Sequence, residues 1–301
     1  MDRLNAMQLF AAIGEAGSLT AAAKRLRVAL PTLSRKLAQL EAHLGTRLVT
    51  RTTRRFALTE PGRRYLEACR RLLAEIDEAE RQAAGEYDAP RGRLTLTAPI
   101  VFGRLHVLPV VMEFLKTYPE VDLRLSLVDR IVDLAEENLD AGLRIGALPD
   151  SALIATRVGA VRHIACAAPD YLKQNFIPRT PADLARLHCI ASTNLAPPEQ
   201  WVFHEAGNPI PIAIRARLTV TTAEAAIDAA IAGLGITRLL SYQAAEAIRA
   251  RRLQRILRGF EPPELPVHLV HSEARLVPPK LRAFLDFAAP RLRKRLAALQ
   301  V

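Results

Sequence analysis

Between Pro31 and Gly45, Leu33, Leu37, Leu40 and Leu44 recur at spacings of 4, 3 and 4. Residues so spaced share one side of an α-helix and form a narrow apolar stripe. At about 100° per residue the opposite side carries Pro31, Arg35, Ala38 and Ala42. Thr32 and Gln39 stand on one flank of that side and Ser34 on the other. A helix that only met water would tolerate Lys and Glu along it. Small residues around one arginine instead let the helix lie close to another surface, with Arg35 in reach of a base edge through two hydrogen bonds. A short alanine-rich helix over 18–26 precedes it, so the pattern predicts a helix-turn-helix whose second helix reads DNA.

Residues 47–59 read as a short β-hairpin in which Phe56 and Leu58 alternate inward. Its tip carries Arg51, Thr52, Thr53, Arg54 and Arg55. Alone, such a tip is a solvated basic turn. Directly after a helix-turn-helix it reads as a wing that touches the DNA backbone or places an arginine in the minor groove. Charge points the same way. Residues 1–60 hold 10 Lys/Arg against 4 Asp/Glu, a net of +6, whereas residues 61–93 are neutral and the remaining 208 residues net only +5. The basic excess is concentrated where a polyanion would bind.

The first 60 residues resemble the N-terminal domain of LysR-type transcriptional regulators. The resemblance rests on Leu9-Phe10, the run Gly17 to Ala23, Leu26, Pro31 with Ser34-Arg35, Leu40-Glu41, Leu44-Gly45, Leu48, Arg51-Thr52 with Arg55, Leu58-Thr59 and Pro61-Gly62. It implies DNA contacts from Ser18, Thr20, Leu30, Pro31, Thr32, Ser34, Arg35, Gln39, Arg51, Arg54 and Arg55. Two positions depart from the family pattern. Ala29-Leu30 stands where a Ser-Gln pair is usual, which removes a helix cap and replaces a base-reading amide by an apolar side chain suited to a thymine methyl. Val49 replaces a usual phenylalanine.

From Glu60 to about Asp88 the spacing predicts a long helix, with Thr59 as its cap and Pro61 in its first turn. Tyr65, Cys69, Leu72, Ile76, Ala79 and Ala83 follow a 4-3 repeat that Leu66 and Leu73 widen. A heptad seam on a helix between two domains asks either for a partner helix or for the chain's own second domain. Two half-sites read by two copies favour the partner helix, and so a homodimer. The family also implies tetramers and contact with RNA polymerase. An apolar fraction of 50% is ample for buried cores. No signal peptide and no membrane-length apolar run is legible. Cys69, Cys166 and Cys189 are too few and too scattered for a disulfide framework and suggest a reducing, cytoplasmic setting.

The rest of the chain alternates strands and helices, which predicts an α/β fold. Strands are expected over 94–98, 121–127, 142–146, 161–168, 188–192, 210–220, 235–240 and 267–270. Helices are expected over 101–118, 131–138, 222–232, 242–250 and 278–299. The segments Asp129–Leu134, Asp140–Gly146, Ala232–Ile236 and Pro279–Asp286 resemble the family's effector domain. That resemblance implies the two-lobed architecture of periplasmic solute-binding proteins. The expected organisation is a winged helix-turn-helix over 1–59, a linker and dimerisation helix over 60–90, and an effector domain over 91–301. Its lobe I would take about 91–162 and 267–301, and its lobe II about 163–266.

In that architecture the ligand lies between the lobes, beside strand ends and helix starts, where free N–H groups favour anions. The strand-to-helix junctions at 98–102 and 221–224 are the expected walls. Candidate effector contacts are Pro99, Ile100, Phe102, Val128, Arg144, Gly146, Trp201, Thr222 and Ala223. Small carboxylates suit helix starts. Pro99 lacks an N–H, however, and Ile100 brings an apolar surface, which suits a more apolar or aromatic compound. Arg144 either pairs with a carboxylate or bonds within its lobe, and Trp201 either lines the cleft or fills a core. No cofactor or metal site is expected. His268 and His271 fall on opposite faces of a strand, and no P-loop, GxSxG or HExxH is present. The expected function is a DNA-binding regulator controlled by a small carboxylate or aromatic metabolite, rather than an enzyme. A DNA-binding domain fused to an enzymatic α/β domain is the alternative, and a solute-binding protein the third reading.

Overall fold

The structure is a computed structural model that describes residues 2–52, 55–83, 90–148, 153–193, 200–272 and 277–299. The chain divides into two compact units, 1–88 and 89–301. The first contains α1 (Arg3–Ala16), α2 (Leu19–Leu26), α3 (Leu30–Leu44), β1 (Val49–Thr52), β2 (Arg55–Leu58) and α4 (Glu60–Ala83). Asp2 and Ser18 cap α1 and α2 by accepting from the N–H groups of Asn5 and Ala21, each at 3.1 Å. Leu33, Leu37 and Leu40 of α3 are buried with Phe10, Ile13 and Leu48 in one core. The stripe stops there, because Leu44 lies exposed in the last turn before Gly45, whose φ of 64° closes the helix.

The start of α4 joins this core. Leu66 and Cys69 are buried, Leu73 packs against the cluster, and the Tyr65 ring lies 5.5 Å from that of Phe10. Gly14 makes room for α4, since a Cβ there would stand 2.4 Å from Leu66 Cδ2. The upper part of the expected dimer seam is thus spent inside its own unit. Leu72 is exposed and Ile76 half-buried, while the side chains of Ala79 and Ala83 lie outside the described residues.

The second unit holds two five-stranded sheets of matching pattern. One has the order β4-β3-β5-β14-β6, from β3 (Gly92–Ala98), β4 (Val121–Leu127), β5 (Ala141–Ile145), β6 (Leu153–Val161) and β14 (Leu265–Ser272). The other has the order β11-β8-β12-β7-β13, from β7 (His163–Ala167), β8 (Cys189–Ser192), β11 (Ala216–Val220), β12 (Ile236–Leu240) and β13 (Gln254–Ile256). In each, the first three strands are parallel, the fourth runs antiparallel to its neighbours on both sides, and the fifth is again parallel to the first three. Strands β9 (Gln200–Glu205) and β10 (Asn208–Ala213) form a separate hairpin. In the first sheet β3 is followed by α5 (Ile100–Phe102), a π turn (Gly103–Val107) and α6 (Leu108–Thr117) before β4, and α10 (Pro279–Ala297) packs in the same core. The second has α7 (Pro169–Gln174), α8 (Ala223–Ile231) and α9 (Ser241–Arg249).

The chain leaves the first sheet after Val161 and returns to it at Leu265, and the two crossings are tied together. Arg162 pairs with Glu264 and with the buried Glu261, which also binds Arg255. Two sequence expectations fail here. Residues 131–138 form a single turn rather than a helix: Asp133 caps the turn by accepting from the N–H groups of Ala135 and Glu136, and Asn138, with a φ of 54°, ends it before a second turn can form. Residues 210–220 form two strands, one in the β9–β10 hairpin and one in the second sheet. Among the described residues no helix is long and apolar enough to cross a membrane.

Candidate nucleic-acid and effector sites

In the first unit, packing three helices on one core leaves one side of α3 uncovered. Leu30, Pro31, Arg35, Ala38, Gln39 and Ala42 are exposed there, with Thr32 and Ser34 half-buried beside them. Ser18 is half-buried by its capping role and Thr20 is exposed on the first turn of α2. The helix starts at Ala29 without a side-chain cap, and Leu30 is 42% exposed at the point where a groove-facing helix would enter. Lys36 Nζ donates to Asn5 Oδ1 at 2.8 Å and locks α3 to α1.

The hairpin is aimed by Glu41, Gly62 and Thr59, of which the sequence singled out only Thr59, as the cap of α4. One Glu41 oxygen accepts from the backbone N–H groups of Leu48 and Val49, at 2.8 and 3.1 Å, fixing the base of β1 to α3. Thr59 Oγ1 donates to Arg47 O at 2.7 Å and accepts from Gly62 N at 3.0 Å, joining the hairpin base to the start of α4. Gly62 is required there, since a Cβ would stand 2.0 Å from Leu48 O. Glu41 and Gly62 lay within the motifs that carried the resemblance, but spacing says nothing of what they bond. The backbone of β1 and β2 pairs Thr52 with Arg55. Arg54 and the side chains of Arg51 and Arg55 lie outside the described residues.

In the second unit Arg104 of the π turn meets Glu224 of α8 at 3.5 Å, so the two expected junctions face each other across the lobes. Ile100 is 40% exposed, Pro99 and Val128 are half-buried, and Thr222 is exposed. Thr222 Oγ1 accepts from Ala225 N at 3.3 Å and caps α8. Gly146 holds a φ of 104° that favours glycine at the end of β5.

Other expected contacts are already used by the fold. Phe102 is fully buried, its ring edge-on to Tyr242 at 5.3 Å, and Ala223 is buried beside it in the same core. Trp201 is buried with Phe203 in the core of the second lobe. Arg144 is half-buried and its Nη2 donates to Val132 O at 2.6 Å, which makes it a brace for the 131–138 turn. Burial pushes its pKa down. The Ile100 N–H, the donor expected to greet an anion, donates to Asp129 Oδ1 at 2.9 Å. Cys166 and Cys189 are free, and burial pushes both thiols up to about 12, so neither is a thiolate near neutral pH.

Comparison with known proteins bears on both units. Residues 4–63 match the family described as bacterial regulatory helix-turn-helix protein, lysR family, and residues 88–293 match the LysR substrate binding domain. The chain is 34% identical over 291 residues to the HTH-type transcriptional regulator PtxR of Pseudomonas aeruginosa, covering 95% of this chain and 93% of that protein. It is 32% identical over 281 residues to an uncharacterized HTH-type transcriptional regulator of Haemophilus influenzae, covering 93% and 98%. Among solved structures, CrgA, a LysR-type transcriptional regulator from Neisseria meningitidis, superposes with a TM-score of 0.61 at 28% identity over 96% of this chain and 98% of that one. The full-length Vibrio cholerae virulence activator AphB gives 0.61 at 26% identity over 95% and 98%.

Proposed function

The chain belongs to the LysR family of DNA-binding transcriptional regulators, and from that premise we propose how its parts divide the work. Residues 1–59 bind the operator, 60–90 link and dimerise, and 91–301 sense the effector. The chain acts in the cytoplasm as a homodimer or a tetramer of two dimers, on double-stranded promoter DNA and in contact with RNA polymerase. Relatives include proteins named as a repressor and as an activator, so one scaffold serves both signs of control. The observation that carries the DNA reading is the uncovered side of α3, small residues around Arg35, held rigidly against α1 by Lys36.

The effector binds between the lobes, against Pro99, Ile100, Val128 and Thr222. Of the two chemical classes open from the sequence, an aromatic or otherwise neutral compound fits better than a carboxylate. Asp129 already fills the Ile100 N–H and places its own negative charge beside it, and two carboxylates so close repel. A ligand can shift a regulator only by binding one arrangement of the lobes more tightly than another, which a compound touching both junctions does. Thr222→Trp tests this. It is expected to abolish the effector-dependent change in footprint length while operator affinity in the absence of effector stays within twofold. A variant that still shifts its footprint with effector places the site elsewhere.

A further inference from the structure

A cavity of about 540 Å³ lies among the π turn, α8, α9 and α10, so its walls come from both lobes. None of the residues expected to bind the effector between the lobes lines it. Deep in its wall sits His106, 7% exposed, with both ring nitrogens buried and without a hydrogen-bond partner. Buried polar groups are nearly always partnered, and an orphan costs free energy that a bound group can recover. The π turn itself, Gly103–Val107, is a form that concentrates at functional positions.

Arg295 lines the same cavity. Its Nη2 donates to Leu105 O at 3.1 Å, whereas its Nε is buried and unpartnered. Each orphan is a donor suited to an oxyanion, one a guanidinium N–H and the other an imidazole N–H. Burial and the neighbouring Arg295 hold His106 down to about 4, so it is neutral near pH 7 and offers one N–H and one acceptor. Other lining groups limit the ligand's charge. Glu224, Asp228 and Glu246 are offset by Arg104, Arg249 and Arg252, with Glu224 and Arg104 paired, so Arg295 leaves an excess of one positive charge, which suits a monoanion. Much of the remaining wall is apolar, from Val101, Leu105, Ile227, Ala245 and Leu299.

We propose that this cavity is a second ligand site, adjoining the cleft between the two junctions at Val101 and Glu224 but lined by none of the expected effector contacts, that takes a small monocarboxylate with an apolar body and holds its carboxylate with Arg295 and His106. A ligand there touches both lobes and so favours one arrangement of them.

Calorimetry on the full chain tests this with cyclohexanecarboxylate as the probe and cyclohexylmethanol and inorganic phosphate as controls. The carboxylate is expected to bind once per chain, and both controls at least tenfold more weakly. Arg295→Leu, which removes the guanidinium, is expected to weaken binding at least tenfold. Ala245→Phe, which fills the cavity and leaves the polar pair intact, is expected to do the same and serves if Arg295→Leu does not fold. Thr222→Trp leaves binding unchanged. The proposal is overturned if the parent protein shows no binding at millimolar probe, or if the alcohol binds as well as the carboxylate. It is also overturned if Thr222→Trp abolishes binding while Ala245→Phe does not, which would place the probe in the cleft.

Discussion

The two units commit their polar groups in opposite ways. In the first, the groups that hold the fold, Asn5, Lys36, Glu41 and Thr59, stand apart from those that face outward on α3, Leu30, Pro31, Arg35 and Gln39. In the second, groups read as ligand-facing are consumed by the fold: Arg144 by Val132, the Ile100 N–H by Asp129, Phe102 and Trp201 by the cores. A site for a rigid polyanion can sit on a convex helix, whose working side is whatever the core leaves uncovered. A concave site is lined by residues that look, in sequence, like core. Helical spacing therefore exposes the first kind of site and hides the second.

The largest test of this contrast lies on α4, which begins in one regime and ends in the other. Leu66 belongs to its own unit's core, while Ile76 is half-buried past the point where that core ends. Ile76→Glu is expected to weaken self-association by about 3–5 kcal/mol by placing an unpaired carboxylate in the seam. The folded content of the monomer should not change. Leu66→Ala should instead destabilise the first unit, by about 2–5 kcal/mol, and leave association of the folded chain intact. Sedimentation and thermal melting of the two variants separate the outcomes. An Ile76→Glu chain that sediments as the parent dimer would falsify the seam.

Acid should divide the units next. Burial holds His106 down to about 4 and His163 to about 3, against 6.5 for a free imidazole, whereas the first unit's one histidine, His43, is exposed. Between those values the unfolded chain binds protons that the folded second unit refuses, so its stability falls as pH drops from about 6.5 towards 4. His106 alone accounts for a loss on the order of 3 kcal/mol over that window. Tryptophan fluorescence reports the second unit selectively, since Trp201 lies there. A second unit as resistant to melting at pH 4.5 as at pH 7 would mean these rings are solvated.

Arg35→Ala comes third, at about 1–3 kcal/mol per half-site, with relaxed base preference at the position it reads. Quantitative footprinting on a selected operator measures both. Unchanged affinity would mean that the uncovered side of α3 faces something other than base edges.

Legibility followed the same division. The stripe from Leu33 to Leu40 and the cap at Thr59 were readable because they depend on neighbours within one turn of helix. The segment 131–138 was misread because its leucine, alanine and glutamates suit a helix, while the chain turns away at the left-handed Asn138 and is held from outside by Arg144 reaching from β5 to Val132 O. The break inside 210–220 has no local signature, because it records which sheet each half joins. Glu41 and Asp129 were visible as letters of a motif, but each acts on backbone N–H groups that only the folded chain brings to it.

The smallest effect sharpens the comparison most directly, because it adds an interaction that α3 alone lacks among the first unit's three opening helices. Helix α3 begins at Ala29, which is extended, with φ of −66° and ψ of 136°, and supplies no side-chain oxygen to the N–H groups of the first turn. Helix α2 has that oxygen in Ser18, and α8 has it in Thr222. Ala29→Ser places a hydroxyl where an N-cap acts, and the backbone there already has the required conformation. It is expected to stabilise the first unit by about 0.5–1 kcal/mol. The second unit's melting should not move, because the cap reaches only the first turn of α3. A serine hydroxyl at this exposed helix start can also reach a phosphate oxygen, so operator affinity should hold or rise slightly across all sequences rather than at one base. Separate melting of the two units by near- and far-ultraviolet dichroism measures the first effect, and salt-dependent binding the second. A gain shared equally by both units would mean that their stabilities are coupled, and the division of labour argued from their polar groups would not hold.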